Sequence, residues 1–214
     1  MTQALSVFYG VSADGRSVAE AEVSDLAMAR ELLAAAAAAG TELAWAHSTA
    51  DLSPLGFGPR PGYRRLTGPA RPAPALDCVI ELPGEHDTAE LCAAAYRGQW
   101  GHKTPDTWPA AELAASTPLG LRRGGLIVGI CRVTPRAGQI DAPGLITGHR
   151  GEAGYRALLA AGLSRIAVGQ VTVESWGDGP DRVRACERLG LATAEYCPGW
   201  ELDLTRQPPP PRRA

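Results

Sequence analysis

Residues 148–155 read Gly-His-Arg-Gly-Glu-Ala-Gly-Tyr, a small and bendable backbone carrying one permanent cation, Arg150. They join a β-prone run, GQIDAPGLIT at 138–147, to a stretch in which Tyr155, Leu158, Leu159, Leu163 and Ile166 recur at helical spacing. A glycine-rich turn that opens a helix presents unpaired backbone N–H groups, and the helix N-terminus carries about half a positive charge. Small residues let a ligand come close to that backbone. This is the chemistry of an anion cradle, with phosphate or pyrophosphate as its natural ligand. Two phosphate motifs are excluded: no Gly-Lys-Ser/Thr follows, and the glycine spacing is not that of the dinucleotide fingerprint. Taken alone, the turn fits a ligand-free helix start equally well.

Other groups able to move a proton are scattered. In VTVESW, 171–176, strand alternation sets Thr172, Glu174 and Trp176 on the face opposite Val171 and Val173. Asp141 stands near the kink before Pro143. His102 lies in GHKTPDTW, 101–108, with Trp100 and Trp108 close in sequence, as in a pocket wall. The cysteines are Cys78, Cys92, Cys131, Cys186 and Cys197, an odd number with no CxxC pair. The histidines, His47, His86, His102 and His149, form no i, i+4 pair. These spacings argue against a metal site and a disulfide framework, and they point to a reducing, cytoplasmic setting. The 214 residues carry a formal net charge of −2. That balance exerts no long-range pull on nucleic acid or an anionic membrane surface. No apolar run reaches the ~18 residues of a membrane-spanning helix, and the start, MTQALSVFYG, lacks the features of a signal peptide.

The elements that must position these groups fall into two parts. Residues 4–11 and 17–23 flank Ala13-Asp14-Gly15-Arg16 as a hairpin. Ser24 or Asp25 caps a helix running to Gly40, and TELAWAH, 41–47, is a strand. The stretch 67–77, rich in Pro, Gly and Ala, is expected to be an extended linker. Beyond it, CVIEL is a short strand, and Asp87 caps a helix with Leu91, Cys92 and Tyr96 on one face. Pro109 opens a second helix, and a hairpin turns at Gly124-Gly125. The cradle and its helix follow, then the strand VTVESW and a helix from Pro180 to Leu189-Gly190. Two strands, LATAEY and GWELDL, flank Cys197-Pro198-Gly199. The tail from 207 is polyproline. The order predicts an α/β layered fold.

The runs HRGEAGYRALL and CERLGLATAEY, with the order of elements from 78 to 204, resemble the GNAT superfamily of acetyl-CoA-dependent N-acetyltransferases. The resemblance implies a mixed, mostly antiparallel central sheet flanked by helices, acetyl-CoA as co-substrate, and direct acetyl transfer to the amine of a small molecule. It implies that Arg150 and the N–H groups of Gly151, Glu152, Ala153, Gly154 and Tyr155 hold the pyrophosphate. The pantetheine would lie along Leu145, Ile146 and Thr147, with a backbone N–H near Leu145 stabilising the thioester oxygen. Base candidates are Glu174, Asp141 and His102. Two positions depart from the family pattern. Ala153 and Tyr155 stand where small residues are usual, and the Tyr155 phenol either crowds the cradle or turns into the core. Cys186 occupies the place of the tyrosine that protonates the leaving thiolate. These departures set against the enzyme a second reading, an inactive acyl-CoA-binding or scaffold protein. A third is a partner-binding protein without coenzyme. Residues 1–66 parallel the back half of the second part. They are expected to be a degenerate, half-length GNAT unit, in a tandem that resembles the mycothiol-synthase-like branch. The resulting division is 1–66, linker 67–77, GNAT domain 78–206 and tail 207–214, in a monomer or homodimer with no nucleic-acid, membrane or metal partner.

Overall fold

The structure is a computed structural model that describes residues 5–12, 15–71, 74, 77–82, 86–96, 114–167, 169–176 and 179–206. The chain divides into two compact units, one built from Met1–Gly62 and Cys197–Ala214 and the other from Tyr63–Tyr196.

In the first unit, β1 (Phe8–Val11) pairs antiparallel with β2 (Ser17–Glu22). A right-sized crossover, α1 (Leu26–Ala39), returns the chain to β3 (Leu43–His47), parallel to β2. Asp25 starts α1 by accepting hydrogen bonds from the N–H groups of Ala27 and Met28, and Gly40 ends it in the left-handed conformation, φ 67°. Ala29, Leu32 and Ala36 form the buried stripe of α1 and pack on Ala19, Ala21, Ala44 and Ala46. Two long strands complete this sheet only in part. They are β4 (Gly58–Pro69) and, from the far end of the chain, the strand Ala192–Asp203. Gly199–Asp203 pairs antiparallel with β3, and Arg60 of β4 forms an ion pair with Glu201, N···O 2.6 Å. Pro59 and Pro61 fit a strand end that need not donate to a ladder. Where β4 meets the last strand, Gly62 lies against the backbone of Cys197, Pro198 and Gly199. A methyl group there would press on backbone atoms that cannot yield, so Gly62→Ala should cost more than about 2 kcal/mol of stability, read as a fall in the urea midpoint.

The second unit holds the remaining elements: β5 (Val79–Glu81), α2 (His86–Ala95), β6 (Thr117–Arg123), β7 (Leu126–Thr134), β8 (Gln139–Asp141), β9 (Gly144–Leu145), α3 (Glu152–Leu163), β10 (Gln170–Trp176), α4 (Pro180–Arg188) and the first half of β11, the strand Ala192–Asp203. Its sheet runs β4-β10-β8-β7-β6-β5, with β9 beside β7; β8 and β10 are parallel, while β4–β10, β7–β8, β6–β7, β5–β6 and β7–β9 are antiparallel. Gly124 and Gly125, φ 56° and 83°, make the two-residue turn between β6 and β7. One face is covered by α3 and α4: Leu158, Leu159, Leu163, Ala185 and Cys186 pack with Val128, Val133, Ile140, Val171 and Val173. The other carries α2, whose Cys92 and Ala95 pack on Ile130. Burial pushes the Cys92 thiol up to about 11.

This is a mixed α/β architecture, with a large mixed sheet flanked by helices. Four expectations are corrected. Residues 67–69 are the end of β4, paired with β10 at Thr67↔Thr172, Gly68↔Val171 and Pro69↔Gln170, and not linker. LATAEY and GWELDL form one continuous strand through Cys197-Pro198-Gly199. The boundary at 66 is replaced by an exchange: Tyr63–Pro69 belongs to the second unit, and Cys197–Asp203 to the first. Asp87 falls inside α2 and not before it. The expected loop and helix over 101–113, including His102 and Trp108, together with Trp100 and the tail from 207, lie outside the described residues.

Candidate functional site

The site is built where β8 and β10 part. They pair at Thr172↔Gln139, Val173↔Ile140 and Glu174↔Asp141, and the Ala142 N–H still reaches the Glu174 carbonyl at 3.3 Å. Pro143 then supplies no N–H, and β9 pairs with β7 alone. On its other side β10 stays paired with β4 out to Trp176↔Tyr63. Tyr96 sits under the divergence: its hydroxyl donates to the Ala142 carbonyl at 2.9 Å, and its ring leaves no room for a side chain at position 144. Burial raises the Tyr96 hydroxyl well above its usual range.

The phase of β9 decides which backbone groups face the gap. The Ile146 N–H donates to Val128 on β7, 2.9 Å, and Gly144 pairs with Ile130 in the same phase. Leu145, between them, therefore turns its N–H and carbonyl away from β7, toward the side that β10 has left. Arg150 Nε donates to that carbonyl, 3.1 Å. A turn with Gly148 at φ 91° follows, closed by the His149 N–H on the Ile146 carbonyl at 2.9 Å. Gly151, φ 156°, then opens α3 without any side-chain cap. The N–H groups of Gly154 and Tyr155 bond the Gly151 carbonyl at 3.1 and 3.3 Å. Those of Gly151, Glu152 and Ala153 make no hydrogen bond with a described residue. The available cradle is thus narrower than the five N–H groups expected from sequence, and Ile146 has no N–H to offer a ligand.

Side chains around the cradle are basic. Arg150 is exposed, and Arg184 and Arg188 of α4 hold the Glu152 carboxylate at 3.4 and 2.5 Å. Arg123 of β6 reaches to within 3.4 Å of where a side chain on Gly154 would begin. Ala153 has no positive φ, so it carries no strain where glycine was expected. Gly154 is needed for packing, since a methyl group there would come within 2.9 Å of Leu145. Thr147 is exposed on the turn.

Tyr155 is only 5% exposed and turns into the core, where the Arg182 guanidinium lies 5.4 Å from its ring centre. Arg182 is buried too, and its Nη1 donates to Ser175 Oγ on β10 at 2.7 Å. The phenol does not crowd the cradle. Cys186 is fully buried among the same core side chains. Cys186→Ala should leave any turnover unchanged while lowering stability by about 1 kcal/mol, as a melt and a rate measured side by side would report.

On the α2 side of the sheet a charged row crosses the strands at the divergence. Asp141 is the Cα partner of Glu174, Glu174 that of Arg65, and Arg65 forms an ion pair with Glu195 at 2.9 Å. Val171, Val173 and Ser175 face the opposite, fully buried side. Tyr63, two positions from Arg65 on β4, lies on the same face of the sheet, with Glu174 and Glu195 near enough to act on its hydroxyl by charge. Burial, then the charges of Glu174 and Glu195, push that hydroxyl up to about 12. Sequence reasoning named Glu174 and Asp141 but missed Arg182, Arg123, Arg184 and Arg188. Arg188 falls within CERLGLATAEY without being singled out there, and the others are brought in by strand pairing or helix packing.

Comparison with solved structures follows this geometry. A GCN5-related N-acetyltransferase from Kribbella flavida matches at TM-score 0.51 and 17% identity, covering 86% of this chain and 80% of that one. Another, from Sphaerobacter thermophilus, matches at 0.54 and 15%, covering 86% and 73%. The chain has the GNAT fold. A third GCN5-related N-acetyltransferase, from Anabaena variabilis, matches at 0.55 and 10%, covering 93% of this chain and 59% of its own. No family model matches the sequence, and no curated protein is detectably similar to it. Among the described residues, no three or more His, Cys, Asp and Glu side chains group as a metal site. No helix among them is long and apolar enough to cross a membrane.

Proposed function

We propose that the protein is an N-acetyltransferase that transfers an acetyl group from acetyl-CoA directly to a small-molecule amine, and that the second unit performs the reaction. The observation that carries this reading is the divergence of β9 from β10 directly ahead of an uncapped, arginine-rimmed helix N-terminus. A ligand combining a pyrophosphate with an extended amide chain fits such a pair of features. Arg150 and the N–H groups of Gly151, Glu152 and Ala153 would hold the pyrophosphate. The Leu145 N–H is the group aimed at a thioester oxygen gaining charge. Acetyl-CoA, when bound, supplies the thioester. Glu174, half-buried on the strand that borders the gap, would take the proton of the attacking amine. His102, on the loop expected to shape the acceptor pocket, is a further candidate. The departing thiolate would take its proton from water.

The first unit is read as a degenerate counterpart, as in tandem members of the superfamily. Its β2 and β3 stay paired over Val18–Glu22, and the Val23 N–H bonds the His47 carbonyl at 3.0 Å, so no gap opens. The N-terminus of its helix is filled by the chain's own carboxylate, Asp25. The position related by register to Glu174 is His47: its partner Glu22 on β2 corresponds to Asp141 on β8, and the Val23 N–H on its carbonyl to the Ala142 N–H on that of Glu174. Arg60 closes over the Trp45 ring at 4.1 Å, and Trp45 Nε1 donates to Glu201 at 2.8 Å.

The test is thiol release from acetyl-CoA in the presence of a panel of alkylamines, diamines and amino sugars. Amine-dependent release that Glu174→Gln abolishes is the expected result. Coenzyme binding without any release would favour the second reading, an inactive acyl-CoA-binding protein, for which the burial of Cys186 is the specific observation.

A further inference from the structure

The gap opens at a reversal of the backbone around Pro143. Along β10, Thr172 and Glu174 turn their main-chain polar groups to β8: the Thr172 N–H donates to the Gly138 carbonyl at 2.8 Å, and the Glu174 carbonyl accepts from the Ala142 N–H at 3.3 Å. Alternation gives Trp176 the same direction, so in a continued parallel ladder its N–H would reach the Ala142 carbonyl. Alternation would likewise aim Gly144 at β10, yet Gly144 pairs with Ile130 on β7. Tyr96 stands at this reversal and touches both of its sides. Its hydroxyl donates to the Ala142 carbonyl at 2.9 Å, the acceptor of the next rung. Its ring fills the place of a side chain on Gly144, whose Cβ would fall 2.6–3.0 Å from three ring carbons. Gly144 has no positive φ, so what glycine supplies here is room for the ring. The ring is anchored in turn by α2: the Tyr96 N–H donates to the Cys92 carbonyl at 2.9 Å, and Cys92 and Ala95 pack on Ile130.

We propose that Tyr96 is a positioning residue that keeps β9 parted from β10: its hydroxyl takes the Ala142 carbonyl in place of the Trp176 N–H, and its ring holds Gly144 turned toward β7. That the space so kept receives the extended arm of acetyl-CoA rests on the acetyltransferase reading given above. A phenol suits the task. It carries one donor at the end of a rigid ring, long enough to reach from a helix into the sheet it covers. Burial raises this hydroxyl well above its usual range, so it stays a donor throughout the neutral range. Ala142 is buried, and a buried carbonyl that loses its donor takes another. The one that the register offers is the Trp176 N–H. Accepting it would add a rung to the β8–β10 ladder and narrow the gap beside Leu145.

The experiment compares the full-length wild type with Tyr96→Phe, which removes the hydroxyl alone, and with Gly144→Ala, which presses on the ring from the other side. Residue-resolved amide hydrogen exchange is read without ligand, and coenzyme A affinity by calorimetry. In both variants the Trp176 amide is expected to exchange roughly tenfold more slowly than in wild type. Coenzyme A affinity should fall by about the same factor, roughly tenfold, because a closed gap lowers the fraction of molecules able to bind. A merely structural hydrogen bond gives the opposite pattern: its loss speeds exchange along β8 and β10 together as the melting temperature falls. That pattern overturns the proposal. So does a Trp176 amide that exchanges in Tyr96→Phe as it does in wild type, and so does slowed exchange with coenzyme A affinity unmoved. Either variant alone carries the test if the other fails to fold. Failure of wild type to bind coenzyme A, with the exchange pattern as expected, instead brings down the underlying reading and leaves Tyr96 as the residue that parts the strands.

Discussion

A fragment spanning residues 78–206 is expected to lose cooperative folding, while one spanning 63–196 keeps it. The first fragment follows the boundary that composition suggests, after the Pro-rich stretch. It removes Tyr63–Pro69, and with it seven register pairs along β10, the strand that carries Glu174. It also removes Leu66, which is buried in the larger core. Each lost ladder hydrogen bond costs about 0.5–1.5 kcal/mol and Leu66 about 1.5–3, against a total stability of only ~5–15 kcal/mol. The same fragment keeps Gly199–Asp203, which then exposes Leu202 and the Trp200 indole, whose N–H donates to the Ser48 carbonyl at 3.0 Å in the whole protein. An open β10 edge and two orphaned apolar side chains are the ingredients of aggregation. Urea unfolding and size-exclusion chromatography of the two fragments decide the matter. A sharp transition for 78–206 at the midpoint of the full chain would mean that the exchanged strands contribute little.

Arg150→Glu should weaken coenzyme A binding at least thirtyfold and leave the melting temperature nearly unchanged. Arg150 is exposed beside three N–H groups that point forward without a partner among the described residues. A charge-assisted bond to phosphate contributes about 1.5–3 kcal/mol, and a carboxylate in its place adds repulsion in the positive field of the helix end. At 1.4 kcal/mol per factor of ten, loss and repulsion together exceed a thirtyfold change. The structural cost is small, because Arg150 is an exposed side chain at the end of a turn, although its Nε donates to the Leu145 carbonyl. Arg150→Lys separates charge from geometry: it should keep part of the affinity, since lysine supplies the charge without the planar fork. Unchanged affinity in Arg150→Glu would remove the anion cradle from this turn.

What could be read from the residues was local. The glycine-rich turn, the N-cap at Asp25, the Gly124-Gly125 hairpin and the alternation that turns Glu174 away from Val171 and Val173 each depend on a few neighbours in sequence. What could not be read was partner choice. GYRRL and GWELDL are both plausible strands by composition, and nothing in either says that the first joins β10 and the second joins β3. Pro69, with Pro72 and Pro74 after it in sequence, made the end of a strand look like a linker, although Pro69 stands at a pair where no ladder donor is required. Tyr155 was ambiguous because helical spacing gives a face but not the partner that fills it. Arg182, buried beneath the ring and bonded to Ser175, is that partner.

Calorimetric titration of the full-length protein with acetyl-CoA, and separately with coenzyme A, bears most directly on the central claim. A gap between β9 and β10 that ends at an arginine-rimmed helix N-terminus predicts micromolar binding of both ligands, lost in Arg150→Glu. No heat at millimolar ligand would contradict it, and would leave the GNAT fold here without its coenzyme.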